Sequence, residues 1–293
     1  MPPTLEPTLE PTVKLSTTNH DRDSAGMTYV YPVVSRRAGG VSIGINLNPN
    51  NACNWRCIYC QVPDLKRGRP PAIDLQQLES ELHTLIHDVL HGDFMQLHVP
   101  EGLRRLNDIA ISGNGEPTSA AEFSLVVELI GRALRKFGLE GKIKLVLITN
   151  GSLAHRPYVQ AGIEKMATLN GEVWFKFDRT TQSGLRQVND TAIDPDRHVQ
   201  RLKRVGQLCP TWIQTCMFTQ NGQPPTEAEI SAYLALLQRA KSEQIPLCGV
   251  LLYGLARAST QPEALTLSAL PEEWLRNLAY RIESIGFTVQ VAP

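Results

Sequence analysis

The sequence predicts an α/β protein whose largely parallel sheet curls into a partial (β/α)6 barrel. The main observation is that short apolar segments alternate with longer amphipathic segments over most of the 293 residues. The run 143–148 is continuously apolar, which is typical of a strand covered on both faces. Right-handed crossovers between parallel strands curl the sheet, so this alternation indicates a full or partial barrel.

The elements follow one another in the order that such a barrel requires. Seven strands are predicted at 41–47, 108–111, 143–148, 173–177, 212–218, 247–252 and 287–291. The helices between them carry apolar residues at a spacing of three to four positions. Those helices are predicted at 75–90, 121–137 (ended by Gly138), 158–169, 195–208, 227–242 and 272–285. Because chemistry in such folds lies at the carboxyl ends of the strands, functional motifs should follow the strands directly.

The first 26 residues have a different composition from the rest. They are polar, contain four prolines and include the repeat TLEPTLEPT, so we expect a flexible tail over 1–26 and one folded domain over 27–293. The chain has no secretory signal pattern and no apolar run of about 20 residues, so no membrane span is expected. Acidic and basic residues balance at 29 each, which gives no bulk field for nucleic acid. A cytoplasmic protein with reduced cysteines is expected.

Three cysteines follow the first predicted strand in the pattern CxxxCxxC. Thiolates at Cys53, Cys57 and Cys60 can all reach one face of a 4Fe–4S cluster, because a short loop can turn three sulfurs towards one centre. Such clusters usually take four cysteines, so three would leave one iron open for a ligand. The alternatives are a zinc site, which prefers four ligands, and three free thiols. The next cysteine along the chain is Cys209.

Glycine-containing turns follow the second and third strands. In SGNGEPT (112–118), Gly113 and Gly115 are expected to take positive φ and to let the backbone approach a ligand. Glu116 offers a carboxylate to an ammonium group, and Pro117 stiffens the turn. The plainer alternative is an ordinary strand-to-helix turn. ITNGS (148–152) contains the common turn pair Asn150–Gly151.

With Tyr59 before the last cysteine, the triplet resembles the signature of the radical S-adenosylmethionine (SAM) superfamily. The order of the later motifs resembles the branch typified by 4-demethylwyosine synthases, which remodel a guanine in transfer RNA. The resemblance implies a partial TIM barrel and a 4Fe–4S cluster on the three cysteines. It also implies reductive cleavage of SAM to a 5′-deoxyadenosyl radical, which takes hydrogen from a substrate. The residues implied to bind SAM are Tyr59, Gly113, Asn114, Gly115, Glu116, Pro117 and Asn150.

Candidate substrate residues follow the fourth and sixth strands, namely Asp178, Arg179 and Arg257. The resemblance implies an iron–sulfur oxidoreductase or transferase with a one-electron donor such as flavodoxin or ferredoxin. The substrate stays unassigned between a tRNA base and a small polar molecule, because the chain lacks the synthases' additional cysteines before Cys53 and their flavodoxin domain. The alternatives are a glycyl-radical-enzyme activase and a zinc-stabilised binding protein without redox activity.

Several other conspicuous residues are expected to be structural or solvent-facing. The histidines at every fourth position of the first helix lie opposite its apolar face. The remaining cysteines and two strand tryptophans are expected in the core. Three cations after the cysteine loop are expected to be solvated, with attraction of a phosphate-bearing substrate as the alternative. The residues are His83, His87 and His91; Cys209, Cys216 and Cys248; Trp174 and Trp212; and Lys66, Arg67 and Arg69.

Overall fold

The computed structural model describes residue 15, residues 26–35 and residues 39–293. An eight-stranded sheet forms its centre, with the strands side by side in chain order. They are β1 (Val30–Ser35), β2 (Gly40–Ile45), β3 (Leu106–Ile111), β4 (Lys144–Thr149), β5 (Gly171–Lys176), β6 (Thr211–Cys216), β7 (Gly249–Tyr253) and β8 (Val289–Ala292). β1 pairs antiparallel with β2, and all other neighbours are parallel. The sheet is curled but open, because β1 and β8 form its edges, and this confirms the predicted partial barrel.

Helices connect successive parallel strands, giving six β/α units and a seventh parallel strand. The α-helices in the described part are α1 (Leu75–His91), α2 (Phe94–His98), α3 (Phe123–Lys136), α4 (Pro157–Ala167), α5 (Gln182–Asn189), α6 (Pro195–Leu208), α7 (Glu227–Ser242) and α8 (Glu272–Glu283). Short 3-10 turns lie at Glu101–Leu103, Pro117–Ser119 and Ala264–Thr266. Two small ladders join Ala52–Cys53 to Lys66–Arg67 and Thr219–Gln220 to Leu267–Ser268.

Local sequence explains where these helices begin and end. Asp74 caps α1 by accepting hydrogen bonds from the backbone N–H groups of Gln76 and Gln77. Thr226 and Glu229 form a reciprocal capping box at the start of α7. α5 ends where Asp190 takes the left-handed conformation at φ 47°. No helix in the described ranges is long and apolar enough to cross a membrane.

The strands present different side chains to their two sides. The outward side chains pack under the helices and are fully buried and apolar, as Ile43, Ile109, Leu145 and Phe175 show. The inward side chains line a cavity and include polar groups, among them Ser42, Asp108, Lys176 and Gln214, beside the apolar Val146, Ile148 and Trp174. The curled sheet therefore encloses a cavity of mixed polarity and carries its fully apolar core outside.

The structure corrects three details of the sequence-based prediction. β1 was not predicted, since Pro32 interrupts its pattern, and a proline is tolerated there because β1 is an edge strand. Cys248 is exposed because it precedes β7 instead of lying within it. Trp174 lines the cavity and donates its indole N–H to Glu172 at 2.8 Å. Most of the predicted tail lies outside the described residues; Leu15 is buried, and its N–H donates to the His98 carbonyl.

Candidate active site

The cysteine loop lies at the carboxyl end of β2, above the interior of the sheet. Cys53, Cys57 and Cys60 all line one cavity of about 300 Å³. Cys60 is near enough to the other two cysteines to raise the pKa of each electrostatically. A second cavity of about 240 Å³ adjoins the first and shares Tyr59, Cys60 and Arg257 with it. The loop thus turns three sulfurs into one chamber.

Polar N–H groups point at two of these sulfurs. Burial raises the pKa of the Cys53 thiol to about 11, against the lowering effect of backbone N–H donors at Trp55 and Glu116. Burial also raises the pKa of Cys57 to about 12, although Lys176 lowers it and the Asn189 side chain donates to the sulfur at 3.3 Å. Such thiols stay protonated at neutral pH unless a metal binds them, and N–H groups aimed at sulfur are typical of iron–sulfur ligands. The donor set therefore fits a cluster held as thiolates.

Across the part of the chain that the structure describes, no three His, Cys, Asp or Glu side chains converge on a single metal ion. Zinc thiolates at 2.3 Å in a tetrahedron lie about 3.8 Å apart, so a zinc site needs tightly convergent sulfurs. In a 4Fe–4S cluster each thiolate binds a different iron atom. The cavity offers three cysteine ligands, whereas structural zinc sites have four protein ligands.

Residues far along the chain hold the cysteine loop in shape. Ser259 Oγ donates to the carbonyls of Ile58 at 2.7 Å and Cys60 at 3.0 Å. Thr260 and Gln261 donate to the Val62 carbonyl at 2.8 and 3.0 Å.

Ion pairs support the same loop. Arg56 forms a two-bond pair with Glu263, at 2.8 Å for each bond, and also contacts Asp190 at 3.1 Å. Arg67 pairs with Asp190 at 2.7 Å, so this cation supports the loop, whereas Lys66 and Arg69 are exposed. The segment 259–263 is thus the main clamp on the cysteine loop.

The Glu116 carboxylate is buried at the junction of the two glycine-containing turns. Its Oε1 accepts from the Thr118 N–H, the Thr118 hydroxyl and the Thr149 hydroxyl, and its Oε2 accepts from the Asn150 N–H at 2.6 Å. Burial raises its pKa above the ordinary value, although these hydrogen bonds oppose the shift. Each carboxylate oxygen offers about two acceptor positions, and Oε2 accepts one hydrogen bond from the described residues, so it retains capacity for one further donor from the cavity that Glu116 lines.

A hydrogen-bonded chain crosses the cavity wall from Lys176 to Cys57. Lys176 Nζ donates to the Tyr59 hydroxyl at 2.7 Å and the Tyr253 hydroxyl at 3.3 Å. Tyr59 donates to Asp178 at 2.6 Å, and Asn189 donates to the same carboxylate oxygen at 2.7 Å. Burial is the largest single influence and lowers the pKa of Lys176, but Asp178, Tyr253, Cys57 and Cys216 together outweigh it, so that the net pKa lies well above the usual value. Lys176 is therefore a protonated side chain at the cavity surface.

Comparison with known proteins gives relatives over part of the chain. No family model matches. A UPF0026 protein of Helicobacter pylori is 32% identical over 135 residues, which cover 46% of this chain and 38% of that protein. The UPF0026 protein MJ1312 of Methanocaldococcus jannaschii is 32% identical over 164 residues, covering 54% and 42%. The aligned part of this chain spans well under half the length of these relatives.

Solved structures match over most of the described fold. TYW1 with a lysine–pyruvate adduct has a TM-score of 0.55 at 18% identity, covering 83% of this chain and 73% of that one. A radical SAM methyltransferase from Sphaerobacter thermophilus has a TM-score of 0.58 at 11% identity, covering 86% and 66%. Streptococcus suis SuiB bound to S-adenosylmethionine has a TM-score of 0.54 at 12% identity, covering 85% and 49%. The chain has the radical SAM fold. The predicted resemblance is confirmed at this level.

Within the radical SAM fold, the predicted cofactor residues lie together. Tyr59, Gly113, Asn114, Gly115, Glu116 and Asn150 line the same cavity as the cysteines. Pro117 is buried at the start of the 3-10 turn behind them. Asn150 also donates to Asn54 Oδ1 at 2.8 Å, which ties the third strand-end turn to the cysteine loop.

The two glycines, Gly113 and Gly115, do not take the positive φ that the sequence predicted. A Cβ on Gly113 would lie 2.3 Å from Asn46 Oδ1, and one on Gly115 would lie 2.0 Å from the Ala52 carbonyl oxygen. The turn is glycine-rich because it packs directly against the start of the cysteine loop.

The candidate substrate residues separate in the radical SAM fold. Arg257 lines both cavities, and Asp178 lies fully buried behind Tyr59. Arg179 points away from the main cavity, and its Nε contacts Glu229 at 3.2 Å.

The sequence-based prediction missed four residues near the site, namely Asn189, Ser259, Gln214 and the inward-facing Trp174. No local pattern marks Asn189 or Ser259, whereas the period-2 alternation Glu172, Trp174, Lys176 identifies an inward face.

Proposed function

We propose that this protein is a radical SAM enzyme that carries a 4Fe–4S cluster on Cys53, Cys57 and Cys60. The observation that carries the proposal is that three sulfurs, the 113–116 turn and Asn150 line one cavity at the carboxyl ends of the strands. When bound, the cluster would supply the electron that cleaves SAM to methionine and a 5′-deoxyadenosyl radical. The electron donor would be a flavodoxin- or ferredoxin-type protein.

On the cofactor side, Glu116 would bind the ammonium of SAM through the acceptor position left on Oε2. Because four hydrogen bonds fix this carboxylate, it needs no rearrangement to accept a further donor. Gly113 and Gly115, which have no side chains, would let the 113–116 turn pack closely against the cysteine loop at the cavity wall. Asn150 would hold the turn and the loop in one arrangement through Asn54.

On the substrate side, Lys176 and Gln214 are cross-strand neighbours that both line the cavity. Lys176 has three N–H donors, of which two reach tyrosine hydroxyls. The buried Oε1 of Gln214 has no hydrogen-bond partner within the described residues. These groups would receive a polar substrate with an acceptor or anionic group, either a small molecule or a single base of transfer RNA.

Reconstitution under anaerobic conditions tests the proposal. We expect a brown protein with about four irons and four sulfides, which produces 5′-deoxyadenosine from SAM on reduction with dithionite. Cys57→Ser should lose both the colour and the product, whereas Cys248→Ser, at an exposed cysteine remote from the cavity, should lose neither. A colourless protein with stoichiometric zinc, or cleavage that persists in Cys57→Ser, would contradict it.

A second experiment addresses the role of Lys176. A lysine that forms an imine must be deprotonated to attack a carbonyl, and the groups around Lys176, Asp178 foremost among those that raise its pKa, favour the protonated form. Incubation with pyruvate and cyanoborohydride at neutral pH should therefore leave Lys176 unmodified in peptide mass spectra. A reduced pyruvate adduct on Lys176 would overturn its assignment as a non-covalent binding residue.

A further inference from the structure

Asn189 contacts a proposed cluster ligand from outside the cysteine loop. This last residue of α5 is fully buried, and its Nδ2 lies 3.3 Å from Cys57 Sγ and 2.7 Å from Asp178 Oδ2. A side-chain amide has two N–H hydrogens, so it can donate to both atoms at once. The sulfur of Cys57 thus has a side-chain donor that a substitution can remove.

The surroundings fix this amide relative to the sulfur. The other bonds to the Asp178 carboxylate come from the Tyr59 hydroxyl at 2.6 Å and the Cys216 N–H at 2.9 Å, so the acceptor that orients Asn189 is itself held. The backbone binds as well: the Ile58 N–H donates to the Val188 carbonyl at 2.9 Å, and the Arg56 N–H donates to the Asn189 carbonyl at 3.3 Å. The end of α5 and the cysteine loop therefore move as one unit.

We propose that Asn189 is a positioning residue that raises the reduction potential of the cluster by donating a hydrogen bond to the Cys57 sulfur. This inference rests on the proposed function. Reduction adds one electron from a one-electron donor and makes the sulfur ligands more negative, with no bond made or broken. An N–H donor stabilises that more negative state and so favours reduction. The donors to Cys53 are backbone groups, whereas the Asn189 donor to Cys57 is a side chain that a substitution can remove.

The test is the midpoint potential of the reconstituted cluster, followed by electron paramagnetic resonance during a redox titration. Asn189→Leu should shift the potential to a more negative value. At the wild-type midpoint, its reduced-to-oxidised ratio should fall by about tenfold, which equals 59 mV for one electron. Asn189→Ala removes the amide without adding bulk, and it should shift the potential in the same direction if the leucine variant holds no cluster.

Asn170→Gly is the matched control. Asn170 also donates a side-chain amide hydrogen bond, from Nδ2 to the Ile143 carbonyl at 3.0 Å, but it is exposed and precedes β5 at the opposite end of the sheet. Its φ of 56° suits glycine, so this variant should keep the wild-type potential. An unchanged or more positive potential in both Asn189 variants would overturn the inference. A wild-type protein that takes up no 4Fe–4S cluster would instead overturn the proposed function and this inference with it.

Discussion

The two faces of the central sheet differ in their side chains, because one face packs against the helices and the other lines the cavity. In β5, Phe175 points outward and is fully buried against helix side chains, while Trp174 and Lys176 point inward to the cavity. In β6, Ile213 is outward and apolar, while Gln214 is inward and its side-chain oxygen has no partner among the residues that the structure describes. The outward side gains stability from close packing. The inward side also holds a buried polar atom, Gln214 Oε1, that lacks a hydrogen-bond partner among the described residues and so gains nothing for the fold until a ligand meets it.

The largest expected effect is a loss of unfolding free energy when an apolar side chain on the outward face of the sheet is truncated. Phe175→Ala removes a fully buried ring that packs on His198 at 4.9 Å, and we expect a loss of about 3–5 kcal/mol in the free energy of unfolding. Gln214→Leu should be neutral or slightly stabilising, because it replaces an unsatisfied buried polar group by an apolar one of similar size. Urea unfolding of the cluster-free protein, followed by circular dichroism, measures both. Equal losses of unfolding free energy in the two variants would contradict the proposed difference between the outward and inward side chains.

The next effect is a pH dependence on the outward side. His198 is fully buried among Trp55, Phe175 and Phe177, and burial lowers its pKa to about 4. Because the unfolded pKa is near 6.5, the unfolded chain binds the proton more tightly. The stability that neutral His198 contributes is complete above pH 6.5 and is lost as the pH falls towards 4, by about 3 kcal/mol.

Urea unfolding from pH 7.5 to 4 checks this, with His198→Phe compared in the same buffers. The variant should show a weaker fall in unfolding free energy over that window. A fall of the same size in both proteins would mean that His198 does not account for the acid sensitivity.

The smallest effect compares an ion pair at the cysteine loop with one on the surface. Arg56→Gln removes the two-bond pair to Glu263, and we expect a loss of about 1 kcal/mol and faster release of iron to a chelator. Arg276→Gln removes the exposed helix pair with Glu272, which should cost about 0.3–0.5 kcal/mol and leave the rate of iron release unchanged. The same release rate in both variants would refute the role of the 259–263 clamp.

The sequence predicted the parts of the molecule that local pattern controls. The predicted bounds of α6 and α7 match the structure, and the strand order follows from the alternation of elements. The cysteine loop and the 113–116 turn were predicted to lie together because parallel strands end at the same edge.

The sequence-based prediction missed contacts between residues that lie far apart along the chain. Asn189 meets Cys57 across 132 positions, and Ser259 meets Ile58 across 201. Such contacts depend on how the whole sheet curls, which no short segment encodes. Arg179 was predicted as a candidate substrate residue with Asp178, yet beyond the end of β5 its side chain lies against Glu229 on α7.

The separation between Ser259 and the loop that it holds sets an order of events during synthesis. At 5–20 residues per second, the ribosome needs about 10–40 s to make the 200 residues between the cysteines and Ser259. Ser259 can hold the cysteine loop only after that interval. Under the proposed function, we therefore expect the cluster to be inserted after translation has passed Ser259.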